Sequence, residues 1–568
     1  MALIGIDLGT TNSLASYWGK DGVQLIPNEF NEYLTPSIVG FNEKKEVVIG
    51  KAAREMIITN PTRTFREFKR NMGTDKKFCV DDLEFRAEDL SAFVLKQLKQ
   101  DAENFLQEEI TEAIISVPAY FTDKQRSATR VAGQIAGLKV ERLINEPSAA
   151  ALAYRINEEE EHAIYLLFDF GGGTLDISVV DAFDNIVEIT AVSGDNQLGG
   201  KDFNEIIENY FYKANDLRKE SLSLKWQEFV YREAEECKIQ LTLEDTVNKI
   251  IAVDGTNYNM NLTNMILKQE SMPIFKKVLQ AIQKALAMSE IELEDIDKVI
   301  LVGGSSKMPV VQMFLKSVFK AQILHQLNPD EIVAMGAGVV AGIKSRNSTI
   351  KDMLLSDICP FSLGVETADG VFSSIISRNE ILPCSKSGFY TTVSDNQKII
   401  RMNVYQGNHM IAKDNEYLTN LEVTVPPLKK GDILVKVDFS YDLNGIFDIN
   451  TTCLNDGKEI HKTLVNQNSG MTEDEISKKV EVLNQIKENS HSDTKTDYLI
   501  YRANHLFMLA SKEQQNLILE EMKIYKEVQD NKTDRMTKRE RYVRFSMILD
   551  MIESKNKQIS ASDFFDKD

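Results

Sequence analysis

The chain has 568 residues, 43% of them apolar, too many for one core, so two or three domains are expected. Acidic residues outnumber basic ones by 86 to 66, and the net charge of −20 repels nucleic-acid phosphates, which excludes that class of partner. Five scattered cysteines without a Cys-x-x-Cys pair fit a reducing cytosol, the six histidines lack ligand spacing, and no signal peptide or membrane span is read, so a cytoplasmic protein is expected.

The first stretch with chemistry in it is Ile4-Gly5-Ile6-Asp7-Leu8-Gly9-Thr10-Thr11-Asn12-Ser13, a β-prone run that ends in a carboxylate, a glycine and two hydroxyls. Such a hairpin suits a phosphate: Gly9 lets backbone amides approach, Thr10 and Thr11 add donors, and Asp7 can hold a hydrated Mg²⁺. Alone, Asp-x-Gly is also ordinary turn chemistry. Residues 23–28 and 33–39 then read as short strands interrupted by Pro27 and Pro36. Lys69 reads as a solvated helix lysine. Residues 89–108 carry Leu90, Phe93, Val94 and Leu98 at helical spacing, residues 113–117 form a strand ending at Pro118, and residues 123–137 form a helix capped by Gly137. Helix and strand alternate, so the class is α/β. Glu146, just before Pro147, reads as a helix-start acid, and Glu158-Glu159-Glu160-Glu161 as a solvated acidic turn.

The hairpin pattern then returns. Leu167-Phe168-Asp169-Phe170-Gly171-Gly172-Gly173-Thr174-Leu175-Asp176 is again strand, carboxylate, glycines and threonine. A third strand-to-glycine element, Val299 to Ser306 with Gly303, Gly304 and Ser305, can bring backbone close to a nucleoside. Two acidic copies far apart in the chain predict duplicated halves facing across a cleft, where opposed hairpins grip one polyphosphate and its metal. Residues 234–242 are helical in pattern, Asn328 to Glu331 cap a further helix, and Met335-Gly336-Ala337-Gly338 allows close packing near the site.

After residue 351 the composition shifts. Asp352-Met353-Leu354-Leu355-Ser356-Asp357 is a short apolar run between acids, unlike the polar linkers that usually join domains. An ordinary edge strand is the alternative reading of that apolar pattern. From 358 to about 465, alternating strands with turns at Asn444-Gly445 and Asp456-Gly457 predict an antiparallel β-sandwich, in which Ile400, Met402 and Val404 share one face, ordinarily the core. A capping box of Thr472 with Glu475 opens a helical region whose apolar faces draw on Tyr498, Leu499, Tyr501, Leu506, Phe507, Leu509, Met547, Ile548 and Leu549.

The three glycine segments resemble the two phosphate motifs and the adenosine motif of the actin, hexokinase and heat-shock ATPase superfamily. Residues 144–151, 117–121 and 194–203 narrow the resemblance to DnaK-type, seventy-kilodalton heat-shock chaperones, over almost the whole chain, and the C-terminus is most similar to that of the HscC subgroup. The resemblance implies a multidomain fold: an actin-like α/β ATPase domain of two duplicated lobes (1–351), a linker (352–357), an antiparallel β-sandwich that binds peptide (358–465) and a C-terminal α-helical lid (466–568). It implies that ATP hydrolysis controls binding and release of extended apolar segments of unfolded proteins.

Residue by residue, the resemblance assigns Asp7, Asp169 and Asp176 to hydrated Mg²⁺. Lys69, Glu146 and Thr174 join them in hydrolysis. Gly9, Thr10, Thr11, Asn12, Gly171, Gly172, Gly173, Gly199 and Gly200 go to ATP or ADP phosphates, with K⁺ as a further candidate ion. Glu235, Lys238, Thr242, Gly303, Gly304, Ser305, Lys307 and Asp330 go to the nucleoside side. Val365, Ala368, Tyr390, Val393, Ile400 and Met402 become a peptide groove, and Pro118, Arg126, Leu354 and Leu355 carry interdomain coupling. Lys307 stands where many relatives have an arginine stacked on adenine, which implies weaker nucleotide retention. Ala368 implies a more open arch over the peptide. A J-domain co-chaperone is implied, and the short loop after Thr242 leaves open whether an exchange factor acts. A small-molecule kinase of the same superfamily and a non-hydrolysing chaperone-exchange partner are the alternative readings.

Overall fold

The computed structural model describes residues 2–156, 162–320, 322–324, 327–345, 353–443, 447–464, 473–488, 494–530 and 535–562. The acidic run from Glu158 to Glu161, the Asn444-Gly445 turn and Thr472 of the expected capping box lie outside them. Among the described residues no helix is long and apolar enough to cross a membrane.

The N-terminal half is built on two sheets of matching design. In the first the order is Lys139–Asn145, Ile110–Val117, Ala2–Asp7, Asn12–Gly19 and Gly22–Ile26, with two parallel pairs followed by two antiparallel hairpins. In the second, Gln322–Leu324, Lys298–Val302, His162–Phe170, Leu175–Phe183 and Ile186–Asp195 repeat that order and those directions. The predicted repeat of the acidic hairpin is therefore a repeat of the whole sheet around it. Asp7 ends its strand and Asp169 stands next to last on the equivalent one.

Two helices join the sheets. Ile332–Lys344 packs on Glu146–Arg155 and on the first strand, and glycines let it come close. A Cβ on Gly336 would lie 1.9 Å from the Ala149 carbonyl oxygen, and one on Gly5 would lie 2.4 Å from backbone atoms of Ala337. The predicted helices near 89–108 and 123–137 are Ala87–Leu106 and Asp123–Ile135, with Gly137 left-handed at φ 75° past the second. The expected cap at 328–331 forms through the backbone, where the Asn328 carbonyl accepts the Glu331 and Ile332 amides at 2.9 and 3.2 Å. Glu331, at the N-cap, makes no side-chain bond to the helix amides; its carboxylate accepts from Asn328 Nδ2 at 2.7 Å, and Asn328 Oδ1 accepts the Asp330 amide at 3.3 Å.

The apolar run after Asp352 is a strand, Leu354–Ile358. It adds to the second sheet in parallel with Ile186–Asp195 through Ile186↔Leu354, Val187↔Leu355 and Glu188↔Ser356. Its other end pairs antiparallel with Ile381–Leu382, so one sheet runs from the N-terminal half into the next unit. That unit is a sandwich of two four-stranded antiparallel sheets over a core that includes Val365, Val404, Val435, Phe439 and Phe447.

The C-terminal helices are Glu473–Glu488, Thr494–Leu509, Lys512–Asp530 and Arg535–Ser562. Leu499, Leu506 and Leu549 are buried among them, with Tyr498, Phe507 and Ile548 partly so. Met547 was expected inside and is 64% exposed; the Leu509 side chain lies outside the described set. The resemblance implies a lid over the sandwich, but these helices sit on the N-terminal half. Ile476 and Val480 join the core of the first lobe, and Tyr498 and Tyr501 pack on Ile38, Val48 and the helix Lys51–Thr59. Charge reinforces the docking, with Lys479 on buried Asp89 and His505 on buried Glu55.

Candidate nucleotide site

A cavity of about 500 Å³ opens between the two matching sheets. The first hairpin presents Asp7, Gly9, Thr10, Thr11 and Asn12 to it, and the second presents Asp169, Gly171, Gly172 and Thr174. Lys69 and Glu146 stand between them, while Glu235, Lys238, Thr242, Gly303, Gly304, Ser305, Lys307 and Asp330 line the far side. Four predicted site residues do not line the wall, and they lie immediately behind it. Asp176 is paired across the ladder with Asp169 and is 3% exposed. Gly173 lies against Thr10 and Arg70, and a Cβ on Gly199 would meet Gly173 N at 2.5 Å. Gly200 donates its amide to the Gly171 carbonyl at 2.9 Å, which Ser305 Oγ also reaches at 2.8 Å, and Lys238 Nζ donates to the Gly200 carbonyl at 3.1 Å. These contacts brace the second hairpin.

Four carboxylates crowd the inner end. Burial, with Glu146 nearby, pushes Asp7 up to about 6 and Asp176 up to about 8, and Asp169 well above the ordinary carboxylate range. Ser116 Oγ donates to Asp7 at 2.7 Å, and Lys69 Nζ donates to Glu146 Oε1 at 2.8 Å, so the lysine offsets part of the charge. Acid groups held this far out of water are stabilised by a cation, which the Asp7, Asp169 and Asp176 set fits. Among the described residues no three such side chains converge as direct metal ligands. Mg²⁺, a hard cation that takes oxygen ligands and keeps several of its waters, would suit these carboxylates.

The cavity also takes residues that the sequence reading passed over: Arg54, Arg66, Glu67, Lys201, Asn204, Tyr231, Arg232 and Ile239. Several tie the halves together. Arg66 reaches Glu228 at 2.8 Å and lies over the Tyr231 ring at 4.3 Å, Arg232 reaches Glu55 at 3.2 Å, and Arg54 approaches Glu235 at 3.8 Å. One signal was present: Tyr231 precedes Glu235 by four residues, one turn along the same helix face. Lys307 pairs with Asp330 at 2.5 Å.

A polar chain leads from this site to the added strand. Asn145, next to Glu146, and Ser148 both donate to Asp357 Oδ2, at 2.8 and 2.7 Å, and Asp357 is buried. Arg126 donates to Asn145 Oδ1 at 2.5 Å and to the Phe121 carbonyl at 3.1 Å, beside buried Pro118. From the sandwich, Arg378 donates to the Val192 carbonyl at 2.7 Å, and Gln406 accepts the Asp123 amide at 2.8 Å. Leu355 is half-buried here and Leu354 is 60% exposed. Asp357 went unassigned in the sequence because an acid at a strand end looks like a solvated stop.

The six groove residues are not brought together as an open trough. Val365, Ile400 and Met402 are buried in the sandwich core and Tyr390 packs partly buried against it, with its hydroxyl 3.1 Å from Ser373 Oγ; Ala368 and Val393 are exposed. The periodicity of the strand, with its ordinary core reading, describes this conformation.

The family model described as Hsp70 protein matches residues 3–83 and 75–563, nearly the whole chain. With that match beside a twinned acidic cleft, a strand-forming linker, a sandwich and a helical C-terminus, the chain belongs to the Hsp70 family.

Proposed function

We propose that the chain is an ATP-dependent chaperone that couples hydrolysis in the cleft to binding and release of extended apolar segments of unfolded proteins. The observation that carries this reading is the pairing of two equivalent acidic turns with the buried Lys69–Glu146 pair in one cavity, connected by Asn145 to Asp357 of the linker strand. Residues 1–351 form the ATPase domain, 352–357 the linker, 358–465 the peptide-binding sandwich and 466–568 the lid.

Thr10, Thr11, Thr174 and the glycine amides hold the phosphates. Asp7, Asp169 and Asp176 would hold Mg²⁺, which would neutralise phosphate charge. Glu146 and Lys69 position the attacking water, and the ammonium offsets charge that develops on the transferred phosphoryl group. The strand Leu354–Ile358 is the coupling element. Seated on Ile186–Asp195, it draws the sandwich against the ATPase domain and the helices onto the first lobe, an arrangement we assign to the ATP state. Released, it frees the lid to cover the groove lined by Val365, Ala368, Tyr390, Val393, Ile400 and Met402. We place the chain in the HscC subgroup and in the cytoplasm, with a J-domain co-chaperone as its partner.

Calorimetry tests the reading. ATP with Mg²⁺ is expected to bind and to weaken the affinity for an unstructured apolar peptide, with reciprocal weakening of ATP by peptide. Binding of ATP without any change in peptide affinity refutes the coupling, and no binding refutes the site.

A further inference from the structure

Glu55, on the first-lobe helix Lys51–Thr59, is held from two directions. Arg232 of the second lobe reaches it at 3.2 Å, and His505 Nδ1, from the C-terminal helix Thr494–Leu509, lies 3.0 Å from it. Glu55 and His505 are buried, and among the described residues His505 Nε2 has no hydrogen-bond partner, so Glu55 is the polar contact of that ring. One turn or two away, Tyr498 meets Phe30 edge-on at 5.4 Å, and Lys51 Nζ lies 5.3 and 5.1 Å from the two ring centres. The last helix, Arg535–Ser562, contacts the second-lobe strand Thr246–Val253. One helical unit thus touches both lobes. Between its two footholds Arg54, Ile57, Arg232 and Glu235 line the nucleotide cavity.

We propose that the C-terminal helical unit is a clamp across the nucleotide cleft, with His505 and Tyr498 as positioning residues that hold Lys51–Thr59 against the second lobe and so slow nucleotide release. The inference rests on the nucleotide reading above and adds a regulator to the same site. For a nucleotide to leave, the lobes must part along the line crossed by Glu55–Arg232 and Arg54–Glu235. Covering Glu55 with His505 withdraws that ion pair from water, where it would be screened, and strengthens it. Parting the lobes therefore requires the helices to lift from at least one of them. A helical unit that moves off to cover the sandwich unlocks the cleft as it goes, so lid position and nucleotide exchange are linked within one chain.

The test is stopped-flow release of an N-methylanthraniloyl-labelled, non-hydrolysable ATP analogue with Mg²⁺ from the full chain into excess unlabelled ATP, because the docked helices belong to the ATP state, for the unaltered protein, His505→Ala, Tyr498→Ala and His505→Gln. Neither residue touches the cavity, so hydrolysis within a preformed ATP complex is expected to stay unchanged. Release is expected to quicken about tenfold for His505→Ala, the scale of one hydrogen bond to a charged group, and about threefold or more for Tyr498→Ala, the scale of a lost aromatic and cation–π contact, while glutamine at 505, which can still donate to Glu55, restores most of the delay. Release within about twofold of the unaltered rate in both alanine variants overturns the clamp while leaving the nucleotide site standing. An unaltered chain that does not bind the analogue overturns the nucleotide reading instead, and the clamp with it. Hydrogen exchange on the unaltered chain guards against unstable variants: residues 51–59 and 494–509 are expected to gain protection together on adding ATP with Mg²⁺. Protection of 494–509 that ignores the nucleotide overturns the proposal.

Discussion

Replacing Lys69 by alanine separates charge balance from phosphate binding. The ammonium lies 2.8 Å from Glu146 Oε1, with side-chain exposures of 6% and 10%, and it also pulls against the upward shifts of Asp7, Asp169 and Asp176. Truncating one partner of a buried pair costs roughly 3–5 kcal/mol, an upper bound here because buried carboxylates can shed charge by binding protons. The ligand-free chain should therefore melt lower. Hydrolysis should fall further than binding, since a positioned group facing developing charge contributes about 10²–10³-fold to rate. The assay is single-turnover hydrolysis with protein in excess over ATP and Mg²⁺ present, alongside calorimetric ATP affinity. The expected result is a rate loss of at least ~10²-fold with affinity held within about tenfold, and Lys69→Met, apolar and of similar reach, should behave like alanine. Hydrolysis within about threefold of the unaltered chain would show that Lys69 serves only to neutralise Glu146.

Three further outcomes follow from the same geometry. Lys307→Arg should slow ADP release in stopped flow, because a planar guanidinium can stack where the ammonium only pairs with Asp330; an unchanged or faster rate argues against an adenine seat there. Gly336→Ala drives a Cβ to 1.9 Å from the Ala149 carbonyl and must separate the two central helices, so a loss of about 1–3 kcal/mol in denaturant unfolding is expected, with unaltered stability as the refuting result. For Glu55, burial pushes its pKa up, but Arg232 and His505 more than reverse this and hold it to about 2, from 4.5. A depressed carboxylate stabilises the fold above its unfolded pKa and loses that contribution as pH falls from 4.5 towards 2, at most about 3 kcal/mol at 1.36 kcal/mol per pH unit. Glu55→Gln should flatten the decline in unfolding free energy across that window, and an identical decline would deny the ion pair its role.

What the sequence disclosed and what it withheld divide by range of interaction. The acidic hairpins were readable because a phosphate turn is made by consecutive residues, and the repeat of Asp7 and Asp169 implied the matching sheets. Alternation and turn dipeptides likewise disclosed the sandwich. The ion pairs across the cleft were not readable, since Glu55 and Arg232 stand 177 positions apart and each looks like a solvated helix charge in its own segment. The seat of the helices on the first lobe was not readable for a related reason. An apolar face announces that it will be covered and does not name the cover, and the tyrosines at 498 and 501 found theirs on Lys51–Thr59 and not over the sandwich. Periodicity also cannot tell a groove from a core on one strand face, so Ile400 and Met402 fitted both readings until their burial was seen.

In the coupling proposed above, the added strand makes the site and the sandwich answer each other in steps and not by degrees. Ladder pairs at Leu354, Leu355 and Ser356 form as a unit, because a strand that slips by one residue turns every side chain to the opposite face. Burying Asp357 sharpens the choice. Its carboxylate is stabilised with Asn145 and Ser148 both in reach, and a half-seated strand would leave it desolvated and unpaired. Asn145 is the neighbour of Glu146, whose carboxylate holds Lys69 in the cleft, so a shift at one end of this short segment disturbs the other. Two ligands that each favour one seating of the same strand oppose one another, in proportion to how differently each binds the two seatings.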